Sequence, residues 1–449
     1  MAAARGRERI VTSSSLTPPP SHPQAGFSLP IREVTAPGGL SAWLAEDHSV
    51  PVVSLAWSWS GGASLDPEGQ EGAAALAAAL LTEGAGDLPA AQFQDALRDA
   101  AIGLSFHGDR DGFEGGFRAL GDALPEAVRL ARLAMLSPRF DAEAVERVRA
   151  RAIAGARQQL EGPRGQANRA FWAQAFPGSP YGRPPGGTAE SLAALPVEAI
   201  RAAAARHLRR DGLVIAAAGA IAPEAFSALL AEVFGGLPEG GAPEAPPLPD
   251  FVLPALAGPA PGGGAVVVPV DAPQCAVLFG QPGLPVRDPD WEAAQVALRV
   301  LGGGGFSSRL MQEVRVKRGL SYGIGAGLDV IAGQGLVTGS VATENARVTE
   351  TLNVLRAEWA HMAAEGPTQA ELEEAVSYLT GSLPLQFTDS RRTASILMGQ
   401  RRNGRPADWL AKRPERLAAM TRDGVARVAA RVLQPGRLGA VVAGKPEGI

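Results

Sequence analysis

An internal repeat constrains the fold of this chain more than any other feature. The segments SLAALPVEAIRAAAARHLRRDGLVIAAAG (residues 191–219) and RLAAMTRDGVARVAARVLQPGRLGAVVAG (residues 416–444) align without gaps and share 10 of 29 residues. Each pattern predicts an amphipathic helix, a turn, and a short strand that ends in Ala-Gly. The shared order of elements predicts that the chain consists of two related halves.

A second pair of segments supports the repeat. LAWSWSGGASLDPEGQEGAAALAAALL and VLFGQPGLPVRDPDWEAAQVALRVL each contain a strand, a loop with an Asp-Pro step, and an apolar helix. The offset is 225 residues for the first pair and 222 residues for the second, measured from Asp66 to Asp288. We therefore expect an α+β fold with two homologous α/β domains in tandem, each a mixed or antiparallel sheet covered by helices.

Gly and Pro mark the boundary between the two halves. Their density in residues 236–265 is incompatible with a helix or a central strand, so this segment is predicted to be a linker. The predicted domains are then residues 27–235 and 266–449. Residues 1–26 are rich in Pro and Ser and are predicted to be a disordered lead-in.

The composition excludes several classes of protein. A net charge of -4 argues against a nucleic-acid binder, because a basic face is needed to neutralise phosphates. Cys275 is the only cysteine, so neither an internal disulfide nor a cysteine zinc cluster is expected. No window is apolar enough to span a membrane. The N-terminal segment lacks the apolar core of a secretory signal, which predicts a cytoplasmic protein, or a periplasmic one if a signal has been removed.

The pentapeptide Gly319-Leu320-Ser321-Tyr322-Gly323 fits G-x-S-x-G, the signature of a serine hydrolase. That motif requires a hydrophobic strand before the serine and a helix after it. Here a charged, helix-like segment precedes Ser321, and a Gly-rich, β-branched hairpin pattern follows it. His361 is the only downstream histidine and lies in a solvated helix pattern. We therefore do not interpret Ser321 as a nucleophile.

The histidines do not form a metal-binding motif. No two of His22, His48, His107, His207 and His361 lie within five residues of each other, so neither H-E-x-x-H nor H-x-x-E-H occurs. His361 and Glu365 are one helical turn apart, which predicts a surface pair rather than a ligand set. His107 lies in a predicted strand and hairpin turn.

The run LGGGGFSSRLMQEVRVKRGLSYGIGAGL (residues 301–328) resembles the C-terminal-domain signature of the insulinase/pitrilysin-type metallopeptidases. The matching features are a Gly-rich turn, Ser-Arg-Leu at the start of a helix, and an Arg followed seven residues later by Tyr. The tandem repeat, the central linker and YGRPPGGTAESLAAL (residues 181–195) agree with that family along nearly the whole chain. The resemblance implies a clam-shell arrangement of the two domains.

The zinc site that the resemblance would imply is missing here. In the family, a helix of the N-terminal domain carries H-x-x-E-H, with two His ligands and a Glu base. The corresponding helix, residues 72–81, has Ala75 and Ala79 at the ligand positions and Ala78 at the base position. A further Glu ligand is expected near Ile153, where there is no carboxylate. This chain is therefore expected to hold no cofactor of its own.

The resemblance assigns Arg315 and Tyr322 as the retained part of the site, for both substrate binding and catalysis. The Tyr hydroxyl would donate to the oxyanion, and the guanidinium would hold a substrate carbonyl or support the Tyr. We therefore expect the non-metal-binding subunit of a heterodimeric zinc metallopeptidase, inactive alone. Its partner would be a homologue with an intact H-x-x-E-H motif and zinc, and its substrates would be peptides. The alternative is a structural or peptide-holding subunit without a catalytic role.

Overall fold

The computed structural model describes residues 28–241, 244–256 and 264–449. The predicted lead-in at residues 1–26 lies outside these residues. The predicted linker is described only in part, and its described residues form no helix or regular strand. Among the described residues, no helix is long and apolar enough to cross a membrane.

The N-terminal half contains eight strands and eight helices within the described residues. They are β1 (Ile31–Thr35), β2 (Ser41–Glu46), β3 (Val52–Ser60), α1 (Ala73–Leu80), β4 (Gly84–Ala85), β5 (Leu88–Pro89), α2 (Ala90–Asp99), β6 (Gly103–Gly108), β7 (Gly112–Leu120), α3 (Leu124–Leu136), α4 (Ala142–Glu161), α5 (Pro163–Ala175), α6 (Ala189–Ala194), α7 (Val197–His207), β8 (Val214–Gly219) and α8 (Pro223–Phe234).

The C-terminal half begins with a strand after the linker. Its elements are β9 (Val266–Pro269), β10 (Gln274–Pro282), α9 (Trp291–Leu298), β11 (Ile324–Ile331), β12 (Gln334–Glu344), α10 (Val348–Glu365), α11 (Gln369–Gly381), α12 (Ser390–Arg402), α13 (Arg413–Ala418), α14 (Arg422–Val432) and β13 (Gly439–Gly444). Between α9 and β11 the chain forms short helical turns, including π-helical turns at Arg299–Gly303 and Met311–Val316.

The two main sheets share one topology. The strand order is β1-β2-β8-β3-β7-β6 in the first and β9-β13-β10-β12-β11 in the second. In each sheet one pair is parallel (β2 with β8, β13 with β9), and the long central strand is antiparallel to both of its neighbours. The predicted pair of related α/β halves is therefore confirmed, and the first half has one additional edge strand.

The repeated Ala-Gly ends have a common cause. Gly219 and Gly444 end β8 and β13 with φ of 127° and 153°. A Cβ at Gly219 would collide with the carbonyl oxygen of Val52, and one at Gly444 would lie 2.6 Å from Sγ of Cys275. Only glycine fits both the close approach and the backbone conformation.

Each half lends a helix to the sheet of the other half. Helix α12 packs on the outer face of β2, β3 and β8, where Leu397 is buried against alanines and Trp43. Helix α5 packs on β10 and β13, where Phe171 lies over Gly280. Because both faces of β3 are covered, its apolar run VVSLAWSW is buried without alternation. The halves face each other across a shared cavity, in a clam-shell arrangement.

Candidate functional site

The loop before α1 is fixed by a buried aspartate. Asp66 is 3% exposed, and its carboxylate accepts hydrogen bonds from the amides of Gly72 (3.1 Å) and Ala74 (3.1 Å). Burial raises the pKa of Asp66 to about 7, although these hydrogen bonds and two nearby arginines oppose the shift. The carboxylate caps the free amides at the start of α1, so the helix begins at a defined residue.

Helix α1 presents alanines where a metal site would need ligands. Ala75 and Ala79 are one turn apart and face the cavity between the halves. Ala78 points into the N-terminal core and is 1% exposed. Methyl groups have no lone pair for a metal and no proton to transfer. The donor set at these positions therefore does not fit zinc.

Helix α4 provides no replacement for the missing ligands. Its cavity face carries Arg151, Ala152 and Gly155, whereas Ile153 packs against the N-terminal core. The cavity-facing positions are therefore one or two residues away from the position expected from the sequence. Within the described part of the chain, no group of three or more His, Cys, Asp or Glu could hold a metal ion.

The structure brings Arg315 and Tyr322 together. Arg315 lies on the helical turn Met311–Val316, and its Nη1 donates a hydrogen bond to the carbonyl oxygen of Tyr322 at 2.8 Å. Its guanidinium lies 4.2 Å from the centre of the Tyr322 ring and 4.6 Å from that of Phe306. Cation–π contacts of this kind hold both side chains in place.

Tyr322 projects into solvent from this cluster. The residue is 85% exposed, and its hydroxyl makes no hydrogen bond within the described part of the chain. Neither Arg315 nor Tyr322 lines the cavity that Ala75 and Ala79 face. The two predicted site residues therefore lie next to each other, but not beside the degenerate helix of their own chain.

The backbone between Arg315 and Tyr322 explains their convergence. Gly319 has φ of 58°, and its amide donates to the carbonyl oxygen of Arg315 at 3.0 Å. This left-handed turn ends the helix. Upstream, Arg309 makes two hydrogen bonds of 2.7 Å to the carboxylate of Glu371, which attaches the segment to α11.

Ser321 has a local structural role. Its Oγ accepts a hydrogen bond from the amide of Gly323 (3.1 Å) and donates to the Gly323 carbonyl (2.9 Å). A helical turn precedes it and the hairpin β11–β12 follows it, which confirms the order of elements predicted from the sequence. That order is the reverse of a nucleophile elbow.

Phe306 is a member of the cluster that sequence reasoning missed. It is 61% exposed and lies under the Arg315 guanidinium. The sequence feature that could have indicated it is a single aromatic residue after four glycines, in the run that matched the family signature. The sequence interpretation treated that run as a turn and gave Phe306 no role.

The described histidines are dispersed in the fold. Nε2 of His361 lies 3.2 Å from Glu365 on the surface of α10, as predicted. His207 is buried, stacks on Phe113 at 4.6 Å, and has its pKa lowered by burial to about 4. His107 lies on β6, in the predicted strand. None of these contacts forms a ligand set.

The cavity between the halves has a volume of about 1140 Å³. Helices α1, α4 and α5 form one side, and strands β10, β11 and β12 form the other. The α1 and α4 positions described above contribute alanine and glycine to the helical side, whereas Phe171 and Trp172 of α5 contribute large rings. Because both sides come from the same chain, the cavity is formed without a second subunit.

Comparisons with known proteins agree with this geometry. Residues 194–379 match the family profile described as "Peptidase M16 inactive domain". A crystal structure of a peptidase M16 inactive domain from Pseudomonas fluorescens has the same fold, with a TM-score of 0.85 and 24% sequence identity, over 93% of this chain and 98% of that chain.

Two curated bacterial relatives differ in how they are described. The "non-peptidase homolog YmxG" of Helicobacter pylori is 26% identical over 343 residues, which is 76% of this chain and 77% of that protein. The "uncharacterized zinc protease ML0855" of Mycobacterium leprae is 34% identical over 232 residues. That match spans 51% of this chain and about half (50%) of the relative's length.

Proposed function

We propose that this chain is a zinc-less member of the M16 peptidase family and the non-metal-binding subunit of a heterodimeric zinc metallopeptidase. Its partner would be a homologous subunit with an intact H-x-x-E-H motif. This chain would supply Arg315 and Tyr322 to peptide hydrolysis in the partner's site. The alanines at positions 75 and 79 support the first half of this proposal, because methyl groups cannot serve as zinc ligands there.

The exposed Tyr322 with its stacked arginine is the observation that carries the proposal. Tyr322 (85% exposed) and Phe306 (61% exposed) both lie against the Arg315 guanidinium, so they form a local exposed aromatic cluster rather than a single surface residue. Here the ring is held by the Arg315 guanidinium, while the hydroxyl is free to donate. A prearranged donor of this kind suits an oxyanion that forms in another subunit.

Each component would have a distinct role. The partner's zinc would polarise the scissile carbonyl and activate water. The Tyr322 hydroxyl would donate a hydrogen bond to the oxygen that becomes negatively charged. Arg315 would keep the Tyr322 ring in place and, through its remaining donors, hold a neighbouring peptide carbonyl.

The test is a peptide-cleavage assay with the chain alone, the zinc-motif homologue alone, and their mixture. We expect cleavage of a quenched fluorescent peptide only in the mixture, and its loss after chelation. In the mixture, Tyr322→Phe should lower kcat by about 10²- to 10³-fold, the usual cost of one oxyanion donor. Arg315→Ala should lower it as well, since it releases the ring.

Tyr378→Phe is the matched control. Tyr378 is also exposed (53%) and also lies beneath a guanidinium, that of Arg299 at 3.5 Å. It lies on α11 and has no proposed catalytic role, so its substitution should leave kcat unchanged. Size-exclusion chromatography of each mixture separates lost chemistry from lost assembly. Cleavage by the isolated chain after chelation would contradict the proposal.

The alternative is a structural or peptide-holding subunit without a catalytic role. The cavity of about 1140 Å³ favours this alternative, because it lies within one chain and needs no zinc. It predicts that Tyr322→Phe and Arg315→Ala leave the activity of an assembled mixture intact. The same assay therefore separates the two functions.

A further inference from the structure

The cavity between the halves has a charge opposite to that of the whole chain. The net charge of the protein is -4. Among the described residues, the charged groups that line the cavity are one carboxylate, Asp329, and four arginines: Arg110, Arg151, Arg164 and Arg169. Its volume, about 1140 Å³, exceeds the roughly 300–1,000 Å³ of small-molecule pockets. Size and sign together indicate a large anionic ligand.

Two of the charged groups are already engaged in the fold. Arg110 donates to the carbonyl oxygens of Tyr181 and Arg183 and stacks on Trp172 at 4.0 Å. Asp329 accepts a hydrogen bond from the hydroxyl of Thr338. Arg110 therefore acts mainly as a structural support for the wall, and Asp329 is tied to the neighbouring strand.

The other arginines are more available to a ligand. Arg164 and Arg169 are exposed on α5 and form no hydrogen bond or ion pair with the described residues. Arg169 interacts with Glu190 only through longer-range electrostatics. Arg151 is 69% exposed and lies at 4.0 Å from Glu83, a loose contact. Unpaired guanidinium groups are strong, directional donors for carboxylates.

The wall beside these arginines has room for a main chain. On the helical side Ala75 and Ala79 contribute only methyl groups and Gly155 contributes no side chain, and Gly327 on β11 leaves room on the facing side. A Cβ added at Gly155 or Gly327 would meet no heavy atom within 4 Å. The start of α5 adds to the positive potential, because its first turn has no acidic residue and no side-chain cap.

We propose that this cavity binds an acidic peptide segment, with Arg164 and Arg169 as the anion-binding residues. The carboxylates of the peptide face α5, and its backbone lies along the wall of small residues. Acidic peptides would then be the class of substrate for the proposed heterodimeric peptidase. The binding proposal rests on the proposed function only in calling the peptide a substrate, because binding needs neither zinc nor a second subunit.

The test measures binding of fluorescent ten-residue peptides to the full chain by anisotropy. One peptide alternates Asp or Glu with small residues, and two analogues carry Ser or Lys at the acidic positions. We expect the acidic peptide to bind at least about tenfold more tightly than the Ser analogue, and the Lys analogue not to bind. Raising the salt from about 0.05 to 0.5 M should weaken binding, because it screens exposed charges.

The variants locate the ligand. Arg164→Ala with Arg169→Ala should weaken binding of the acidic peptide by about tenfold, and the two Lys replacements should retain most of it. Gly155→Leu should block the cavity without disturbing the fold. Arg157→Ala is the matched control, since Arg157 is exposed on α4 but does not line the cavity. Thermal unfolding of each variant confirms that it is folded.

Several outcomes would overturn this inference. The first is that the acidic and Ser peptides bind equally tightly. The second is that Arg157→Ala weakens binding of the acidic peptide as much as the Arg164 and Arg169 substitutions do. The third is that a DNA oligonucleotide binds as tightly as the acidic peptide and is weakened by the same substitutions. Failure of the proposed function looks different: the chain binds the acidic peptide, but its mixture with the homologue cleaves nothing. If the mixture cleaves acidic and Ser peptides equally well, and substitution of Arg164 and Arg169 does not change cleavage, this inference is wrong while the proposed function stands.

Discussion

The two halves place an aspartate at the same point of the repeat but in opposite surroundings. Asp66 follows β3 and precedes α1, and Asp288 follows β10 and precedes α9. Burial raises the pKa of Asp66 to about 7. Hydrogen bonds from Arg431 hold the pKa of Asp288 below its usual value. The duplication has therefore preserved the geometry of this loop while its electrostatics have diverged.

The partners of each carboxylate explain this difference. Asp66 caps α1 through backbone amides, with no cation in direct contact with its carboxylate within the described residues. Asp288 accepts from two nitrogens of Arg431, at 3.0 and 2.7 Å, at the protein surface. The first aspartate stabilises a loop beside the cavity. The second belongs to a surface ion-pair network.

Asp66→Asn tests the comparison between the two aspartates and is expected to have the largest effect on the free energy of unfolding. Since the folded-state pKa lies above the unfolded value, the stabilisation that protonated Asp66 gives below about pH 4 is lost as the pH rises to about 7. Over that window, the free energy of unfolding should fall by the order of 4 kcal/mol. The Asn variant keeps an acceptor for the two amides but cannot titrate, so its free energy of unfolding should lack this fall with pH. Denaturant unfolding from pH 4 to pH 8 measures both slopes, and parallel slopes would refute the interpretation.

Leu397→Ala tests whether the two halves, each with its own aspartate, unfold together in a single transition. Leu397 is fully buried between α12 and the N-terminal sheet, so its truncation should cost about 3 kcal/mol. Because α12 belongs to the C-terminal half, the whole chain should still unfold in one step at lower denaturant. Ser395→Ala, on the exposed face of α12, is the control and should change little. Two separate transitions would show that the halves are independent.

A pair of introduced histidines tests whether the backbone of α1 can still place two metal ligands side by side on the cavity wall. Ala75→His with Ala79→His places two ligands one turn apart on the cavity wall, and excess zinc should stabilise this variant by about 2 kcal/mol. Ala75→His alone is the control and should respond much less. By spacing from Asp288, the equivalent positions in the second half are Ala297 and Leu301, which are buried (1% and 0%). A zinc response of the double variant no larger than that of the control would contradict the comparison.

Asp288→Asn should have the smallest effect. The lowered pKa means that the ion pair stabilises the fold above about pH 4, and that this stabilisation is lost as the pH falls below that value. Because the partner Arg431 is half exposed, we expect a loss of less than about 1 kcal/mol at pH 7. Denaturant unfolding at pH 3 and pH 7, with the Asp66 variant alongside, shows whether the two slopes have opposite signs.

The sequence predicted the fold from features that repeat. The helix–turn–strand pattern and the Asp-Pro loops specify local structure, so the two related halves were predictable. The exchange of α5 and α12 between the halves was not, because an amphipathic helix does not encode which sheet it covers. The continuous apolar run in β3 was the one available hint.

The candidate site was predictable to a similar extent. The family resemblance indicated Arg315 and Tyr322 as a pair, and in the structure the two residues are in contact. Their catalytic role stays a prediction. The place of Phe306 beneath Arg315 and the basic lining of the cavity were not foreseen. The contact of Phe306 with Arg315 depends on the irregular helical turns between them, and the cavity lining comes from residues far apart in sequence that only the folded chain brings together.

The position of α12 on the first sheet has a consequence for synthesis. The ribosome completes β8 at Gly219 but does not reach the end of α12 until Arg402. At about 5–20 residues per second, the outer face of that sheet stays uncovered for roughly ten to forty seconds. During that time Trp43 and the neighbouring alanines form an apolar surface on the nascent chain. A holdase chaperone that recognises this surface would protect the chain until its last third emerges.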